Sequence, residues 1–258
     1  MDILEQIVAD KRTEVASKTE VLPLEYLRKS PLIQRTSYSM SDSLVQRSGV
    51  IAEFKRRSPS RQVINQTSAV NEVAQAYESA GASAVSVLTD TKYFGGALDD
   101  LLQARSVLTI PMLRKEFIID PYQVVESKAF GADAILLIAA VLTPEKAANL
   151  AVLAHDLGME VLLEVHNEEE LDRSDLSNVD MIGVNNRNLK TFEVDLETSR
   201  SLSKRIPAEK ISVSESGISD PGAIAELRNF GFKGFLIGEN FMKTNDPGKA
   251  AEKFLKQL

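Results

Sequence analysis

F-G-A-D-A-I-L-L-I-A-A, residues 130–140, closes a helix-like segment on Phe130, turns at Gly131 and then stays apolar for the length of a strand. A Gly just past the last helical residue suits a left-handed cap, and a short apolar run behind it reads as a strand. The phrase recurs as A-G-A-S-A-V-S-V-L-T-D (80–90), L-G-M-E-V-L-L-E-V-H (157–166) and F-G-F-K-G-F-L-I-G-E (230–239). Further apolar runs at 50–54, 110–113, 179–184 and 211–213 bring the candidate strands to eight. Helix-period segments lie between them, among them 68–79, 143–157 and 195–204. Asp120-Pro121, Thr143-Pro144 and Asp220-Pro221 each set a capping side chain before a proline at the first helical position.

Strand and helix alternate eight times with no Gly/Ser-rich or Pro-rich linker, which favours a (β/α)8 TIM barrel. An open doubly wound sheet is the alternative that periodicity alone leaves. Residues 1–45 do not fit the repeat. They read as an N-terminal helical extension of a single domain spanning 1–258, with Ile3 to Val15 forming a helix laid across one end of the barrel.

The chain has 258 residues, 43% of them apolar and 26% charged, as expected of a globular protein with a large core. A net charge of −7 disfavours nucleic acid and anionic membranes, so an anionic ligand needs a local basic patch. There is no cysteine, which excludes disulfides, thiolate metal sites and cysteine nucleophiles. With only His155 and His166, no multi-histidine metal centre is expected, and neither histidine reads as a catalyst. His155 reads as a surface residue of a helix, His166 as a loop residue or a support for others. No signal peptide or membrane-spanning run is seen, and a cytoplasmic protein is the simplest expectation.

Barrels of this kind assemble their active sites at the carboxyl ends of the strands. Those ends carry Glu53 and Lys55, Thr89-Asp90, Arg114-Lys115-Glu116-Phe117, Glu164, Asn185 and Arg187, Glu215-Ser216-Gly217 and Gly238-Glu239. Side chains alternate along a strand, so Glu53 and Lys55 share the face of Ile51, while Ala52 and Phe54 face the helices. Leu113 with Lys115, Leu162 with Glu164, Gly183 with Asn185 and Val213 with Glu215 repeat the arrangement, the polar member nearer the mouth. Any one of these charges alone reads equally as a solvated loop residue or a structural ion pair. Unpaired charge inside a barrel costs several kcal/mol, so their convergence implies a compensated network or a polar pocket. Ser58, Ser216-Gly217 and Ile237-Gly238-Glu239 follow strands one, seven and eight, where backbone N–H groups of barrels often hold phosphate.

The stretches I-A-E-F-K-R-R-S-P-S, Y-F-G-G-A-L, L-R-K-E-F-I-I-D-P-Y-Q, L-L-E-V-H, I-G-V-N-N-R-N-L, S-E-S-G-I and L-I-G-E-N-F-M, in that order, resemble the indole-3-glycerol phosphate synthase family. The resemblance runs from about residue 38 to the C-terminus and implies a (β/α)8 barrel with an N-terminal helical extension. It further implies conversion of 1-(2-carboxyphenylamino)-1-deoxyribulose 5-phosphate to indole-3-glycerol phosphate in tryptophan biosynthesis, with loss of carbon dioxide and water and without metal or organic cofactor. By resemblance Lys115 is the general acid, Glu164 transfers a proton in dehydration, Glu53 and Asn185 position, and Lys55 contacts the substrate carboxylate. Arg187 and Glu215 match further polar positions. Ser58, Ser216, Gly217, Ile237, Gly238 and Glu239 match the phosphate side, with Leu236 beside them, and Phe94, Phe117 and Leu136 match the apolar surround of the anthranilate ring. Gln62, Ala97 and Asn240 depart from the family pattern around the mouth. The resemblance adds no partner beyond a small phosphorylated substrate, and a monomer is the expectation. Another phosphate-binding barrel isomerase, or a barrel that binds such a ligand without turnover, are the competing readings.

Overall fold

The computed structural model describes residues 2–189 and 191–258. Eight parallel strands close on themselves in chain order: β1 (Val50–Phe54), β2 (Ala84–Leu88), β3 (Met112–Lys115), β4 (Ala134–Ile138), β5 (Glu160–Val165), β6 (Met181–Asn185), β7 (Ile211–Glu215) and β8 (Gly234–Ile237). The barrel, not the open sheet, is therefore the fold. The glycine of each repeated phrase is left-handed, with φ of +98° at Gly81, +90° at Gly131, +69° at Gly158 and +93° at Gly231. Each ends a helix and aims the chain back into the barrel.

Alternation along the strands divides the apolar residues into two cores. Ile51, Leu113, Leu136, Leu162, Val213 and Leu236 fill the barrel interior. Val50, Ala52, Phe54, Val85, Ile135 and Val161 pack outward against the helices. The strand register then sets polar residues side by side: Glu164 lies opposite Gly183, and Asn185 opposite Glu215.

The N-terminal extension touches both ends of the barrel. Helix α1 (Ile3–Val21) runs six residues beyond the expected Val15 and starts in a reciprocal cap, where Asp2 accepts from the Glu5 N–H and Glu5 accepts from the Asp2 N–H. It crosses the mouth. From it Lys11, 1% exposed, reaches 3.0 Å to Asp90 and 3.1 Å to Glu116 at the ends of β2 and β3, with Glu14 at 2.7 Å. Helix α2 (Leu24–Leu27) and the turn Pro31–Gln34 descend the flank, where Leu27 and Val15 pack on Tyr122, Val125 and Ala129. Helix α3 (Met40–Gln46) seals the foot by inserting Met40 and Leu44 under the interior core. Glu160, at the start of β5, accepts from the Met40 and Ser41 N–H groups at 2.7 and 2.8 Å and so caps α3 with a carboxylate. Among the described residues no helix is long and apolar enough to cross a membrane.

Lys11 joins two buried carboxylates that stand at or just past strand ends, Asp90 and Glu116. Burial alone would push its pKa down, but Glu116 and Asp90 outweigh it and hold the ammonium charged. Lys11→Met should therefore lower unfolding stability by about 3–5 kcal/mol, the cost of stranding a buried partner. Urea denaturation followed by circular dichroism measures it.

Candidate active site

At the carboxyl ends of the strands a cavity of about 360 Å³ opens beneath α1. Its polar ring is the set of inward positions that follow the last apolar layer: Glu53 from β1 with Lys55 just past its end, Lys115 from β3, Glu164 from β5, Asn185 from β6 and Glu215 from β7. Lys115 is the centre. Its Nζ donates to Glu164 Oε2 at 2.6 Å and to Glu215 Oε2 at 2.7 Å, with the lysine side chain 14% exposed. Lys55 Nζ donates to Glu53 Oε1 at 2.5 Å, nearer the rim.

Burial works against every charge here, and the neighbours decide the outcome. Burial would lower the Lys115 pKa, but Glu164, Glu215 and Glu53 raise it above the ordinary lysine value, so the ammonium persists. Burial would raise Glu164, but Lys115 and His166 hold it well below the usual carboxylate range. Glu215 goes the other way: burial and the charges of Glu164 and Glu53 push it up despite Lys115. Two carboxylates share one ammonium, and the one without a second cation is the easier of the two to protonate.

Two glycines make room for this ring. A Cβ on Gly183 would stand 2.2 Å from Glu215 Oε1, and one on Gly238 would stand 2.3 Å from Glu53 Oε1. The carboxylates occupy the hollows that the missing side chains leave.

One wall is aromatic. Phe94 and Phe117 lie 6.0 Å apart between ring centroids, tilted by 41°. Asp90 fixes the first by accepting from the Tyr93 and Phe94 N–H groups, and Glu116 fixes the second by accepting from the Phe117 N–H at 2.8 Å. These are the two carboxylates that Lys11 joins, so the roof helix and the aromatic wall share one set of ion pairs. Leu136 lies deeper, in the barrel core.

The opposite wall is backbone. Ser216 and Gly217 take positive φ, +66° and +82°, and a Cβ on Gly217 would meet Val194 at 2.5 Å. A serine in the left-handed region is strained by about 1–3 kcal/mol, which the surroundings must over-determine. Buried Asn186 does so: its Nδ2 donates to the carbonyls of Glu215 and Ser216 at 2.9 and 3.1 Å, and its Oδ1 accepts from Ser199. Gly238 precedes the short helix Glu239–Met242, whose first N–H groups have no partner within the helix. Ser58 closes a tight loop with Arg61, and Arg61 reaches Glu239 at 2.7 Å to join the loops after β1 and β8.

The family model described as Indole-3-glycerol phosphate synthase matches residues 4–254. The chain belongs to the indole-3-glycerol phosphate synthase family. A curated relative of that description from Bacteroides thetaiotaomicron is 50% identical over 258 residues, covering 100% of this chain and 99% of its own. One from Laribacter hongkongensis is 44% identical over 255 residues, covering 96% and 97%. Among solved structures, an N-acetylmannosamine-6-phosphate 2-epimerase from Clostridium perfringens superposes with a TM-score of 0.63 at 16% identity, covering 87% of this chain and 99% of its own. A structure of the tryptophan synthase α2β2 complex from Pyrococcus furiosus gives 0.62 at 15%, covering 82% and 98%. At those identities the two structures speak for the barrel alone.

Every candidate residue read from the sequence lines this one cavity: the polar ring, Ser58, Phe94, Phe117, Leu136, Arg187, Ser216, Gly217, Leu236, Ile237, Gly238 and Glu239. The departures from the family pattern sit at its edge. Ala97 N–H donates to Asp100 at 3.0 Å, and Asn240 Nδ2 donates to the Ser219 carbonyl at 3.0 Å, tying the loop after β8 to that after β7. Nothing in the structure explains Gln62. Sequence reading missed the roof, where Ile3, Leu4 and Ile7 of α1 face the cavity, and the loop residues Leu189, Phe192 and Val194. It also missed Lys243, and it counted Asp90 and Glu116 among the polar strand ends without giving them a part in the site. An apolar stripe on a helix carries no mark of whether it faces a core or a ligand. Asn186 had a findable signal, a second amide directly after Asn185 at the end of β6, but only its partners reveal what it holds.

Because the atom that blocks a side chain at Gly183 is the movable tip of Glu215, Gly183→Ala should fold normally and turn Glu215 off Lys115. Turnover should fall at least about tenfold, on the scale by which slight misplacement of a catalytic group costs rate. Steady-state kinetics beside an unchanged circular dichroism spectrum checks it.

Proposed function

We propose that this ring of charges performs the ring closure and dehydration of the family's reaction, with Lys115 as general acid and Glu164 as the group that moves a proton in dehydration. The protein is a carboxy-lyase of tryptophan biosynthesis by its family. The observation that carries the assignment is Lys115 Nζ, held between Glu164 and Glu215 and aimed into a cavity with an aromatic wall on one side and a backbone wall on the other.

Those walls sort the parts of 1-(2-carboxyphenylamino)-1-deoxyribulose 5-phosphate. The aromatic ring gains from burial against Phe94, Phe117 and Leu136 under Ile3 and Ile7. The phosphate takes the opposite end, where Gly217, Gly238 and the first turn of the helix Glu239–Met242 present N–H groups beside Ser58, with Ser216, Leu236 and Ile237 shaping the floor. Lys55 meets the substrate carboxylate, while Glu53 and Asn185 position, and Arg187 and Glu215 complete the polar wall. Asn185 Oδ1 accepts from the Arg187 N–H at 3.0 Å, which sets the chain direction there.

Between these anchors the ketone lies at Lys115. As the ring carbon bearing the carboxylate attacks the ketone carbon, the carbonyl electron pair moves to oxygen, and the fixed ammonium stabilises it. The forming alkoxide is more basic than an amine, so proton transfer from Lys115 is downhill although its pKa is raised. Carbon dioxide then leaves that ring carbon and returns its electron pair to the ring. In dehydration the hydroxyl departs with a proton from Lys55 or Lys115, and ionised Glu164 accepts the proton that the substrate gives up. The same reading has the enzyme as one domain, monomeric and cytoplasmic, with α1 of its own chain completing the site.

The assay is the appearance of indole fluorescence from the carboxyphenylamino substrate. In Glu164→Gln, ring closure and decarboxylation should outrun dehydration, so single-turnover mixing should show a burst of carbon dioxide ahead of indole product. Indole formed in step with carbon dioxide at the normal rate would remove Glu164 from the role.

A further inference from the structure

His166 lies two residues beyond Glu164, just past the end of β5, and its side chain does not reach the cavity. It stands behind Glu164. Its Nε2 is 3.3 Å from Glu164 Oε1, a charge contact rather than an aligned hydrogen bond, while the other oxygen of that carboxylate is the one bonded to Lys115. On its far side Nδ1 lies 3.1 Å from Glu170 Oε2, and the same oxygen accepts the His166 backbone N–H at 2.8 Å. Glu170 is itself held, with Oε1 accepting from Asn167 Nδ2 at 3.0 Å and its N–H donating to Asn167 Oδ1 at 2.9 Å. Asn167 caps the helix Glu168–Arg173, so the turn out of β5 fixes the whole chain of groups. Glu164 is buried, its side chain 5% exposed, and His166 and Glu170 are partly buried, at 10% and 12%.

We propose that His166, oriented by Glu170, is a positioning residue for Glu164: it sets the rotation of that carboxylate and keeps it ionised for proton transfer in dehydration. The inference rests on the role given to Glu164 above. Glu170 holds the ring on one side and its other edge faces Glu164, which points Oε1 toward the imidazole and Oε2 toward Lys115. The base is oriented by a second group that is oriented by a third, the logic by which catalytic bases are generally held.

The charges around the ring favour the imidazolium. Glu164 faces it from β5 and Glu170 from the following helix, Lys115 lies beyond Glu164, and Asp195 and Glu197 line with it a shallow outer groove. Burial would lower the His166 pKa, but Glu164 and Glu170 outweigh it and push it up to about 10. Glu164 thus lies between two cations. Removing one makes it easier to protonate, and the acid limb of the rate profile reports that directly.

The test compares pH profiles of kcat and KM for the wild type, His166→Gln, Glu170→Gln and Glu164→Gln. Glutamine at 166 keeps a donor and loses the charge. His166→Gln should lower kcat by about tenfold to a hundredfold, the scale of a misplaced catalytic group, with KM little changed. It should also move the acid limb to higher pH. Glu170→Gln should move the limb the same way by less, and it carries the test if the first variant does not fold. With only two histidines in the chain, the His166 imidazole resonances are assigned by difference and should titrate near pH 10 in the wild type. An acid limb unmoved in both variants, or a drop in thermal stability with kcat and its profile unchanged, overturns the inference. If Glu164→Gln itself dehydrates at the normal rate, the role of Glu164 fails instead, a different result from failure at His166 alone.

Discussion

A buried ammonium that needs two carboxylates is the constraint on which this structure turns. Lys115 enters the barrel from β3, and its partners come from β5 and β7, strands 49 and 100 residues away in the chain. Only a closed barrel with the observed register brings those ends together, because each of the three residues must be the inward one at the same height. The fold and the site are therefore one condition. A one-residue slip of β5 or β7 would turn a carboxylate outward among the helices and strand the lysine.

The arrangement divides protons as well as space. Lys115 has two anions and stays charged, Glu164 has two cations and stays ionised, and Glu215 has one cation and two anionic neighbours and leans toward the acid form. Gly183 and Gly238 serve that division, since a methyl group at either position would enter the space of a carboxylate. The same principle recurs outside the ring. Lys11 ties α1 to the residues that hold Phe94 and Phe117, and half-buried Glu160 at the barrel foot ties α3 to β5, so a charged group fixes the extension at each end.

The barrel and its polar ring were legible because both rest on short-range pattern. A glycine, an apolar run and a parity count suffice to place Glu53, Lys55, Lys115, Glu164, Asn185 and Glu215 on one face. What could not be read depends on partners distant in the chain. Lys11 looks like any surface lysine of an amphipathic helix until Asp90 and Glu116 meet it. Ile3 and Ile7 look like core, and their face is decided by where α1 lies. His166 is a lone histidine at a strand end, and only the positions of Glu164 and Glu170 give it a task. Ser216 takes a left-handed conformation that its sequence does not advertise, and Asn186 holds it there.

The central claim is that Lys115 supplies the charge and the proton for ring closure. It is tested most directly by kcat in Lys115→Ala, measured beside substrate binding and the circular dichroism spectrum. The account predicts a folded protein that still binds substrate and turns it over at least about a hundredfold more slowly, the scale of general acid catalysis. Turnover near the wild-type rate would contradict it.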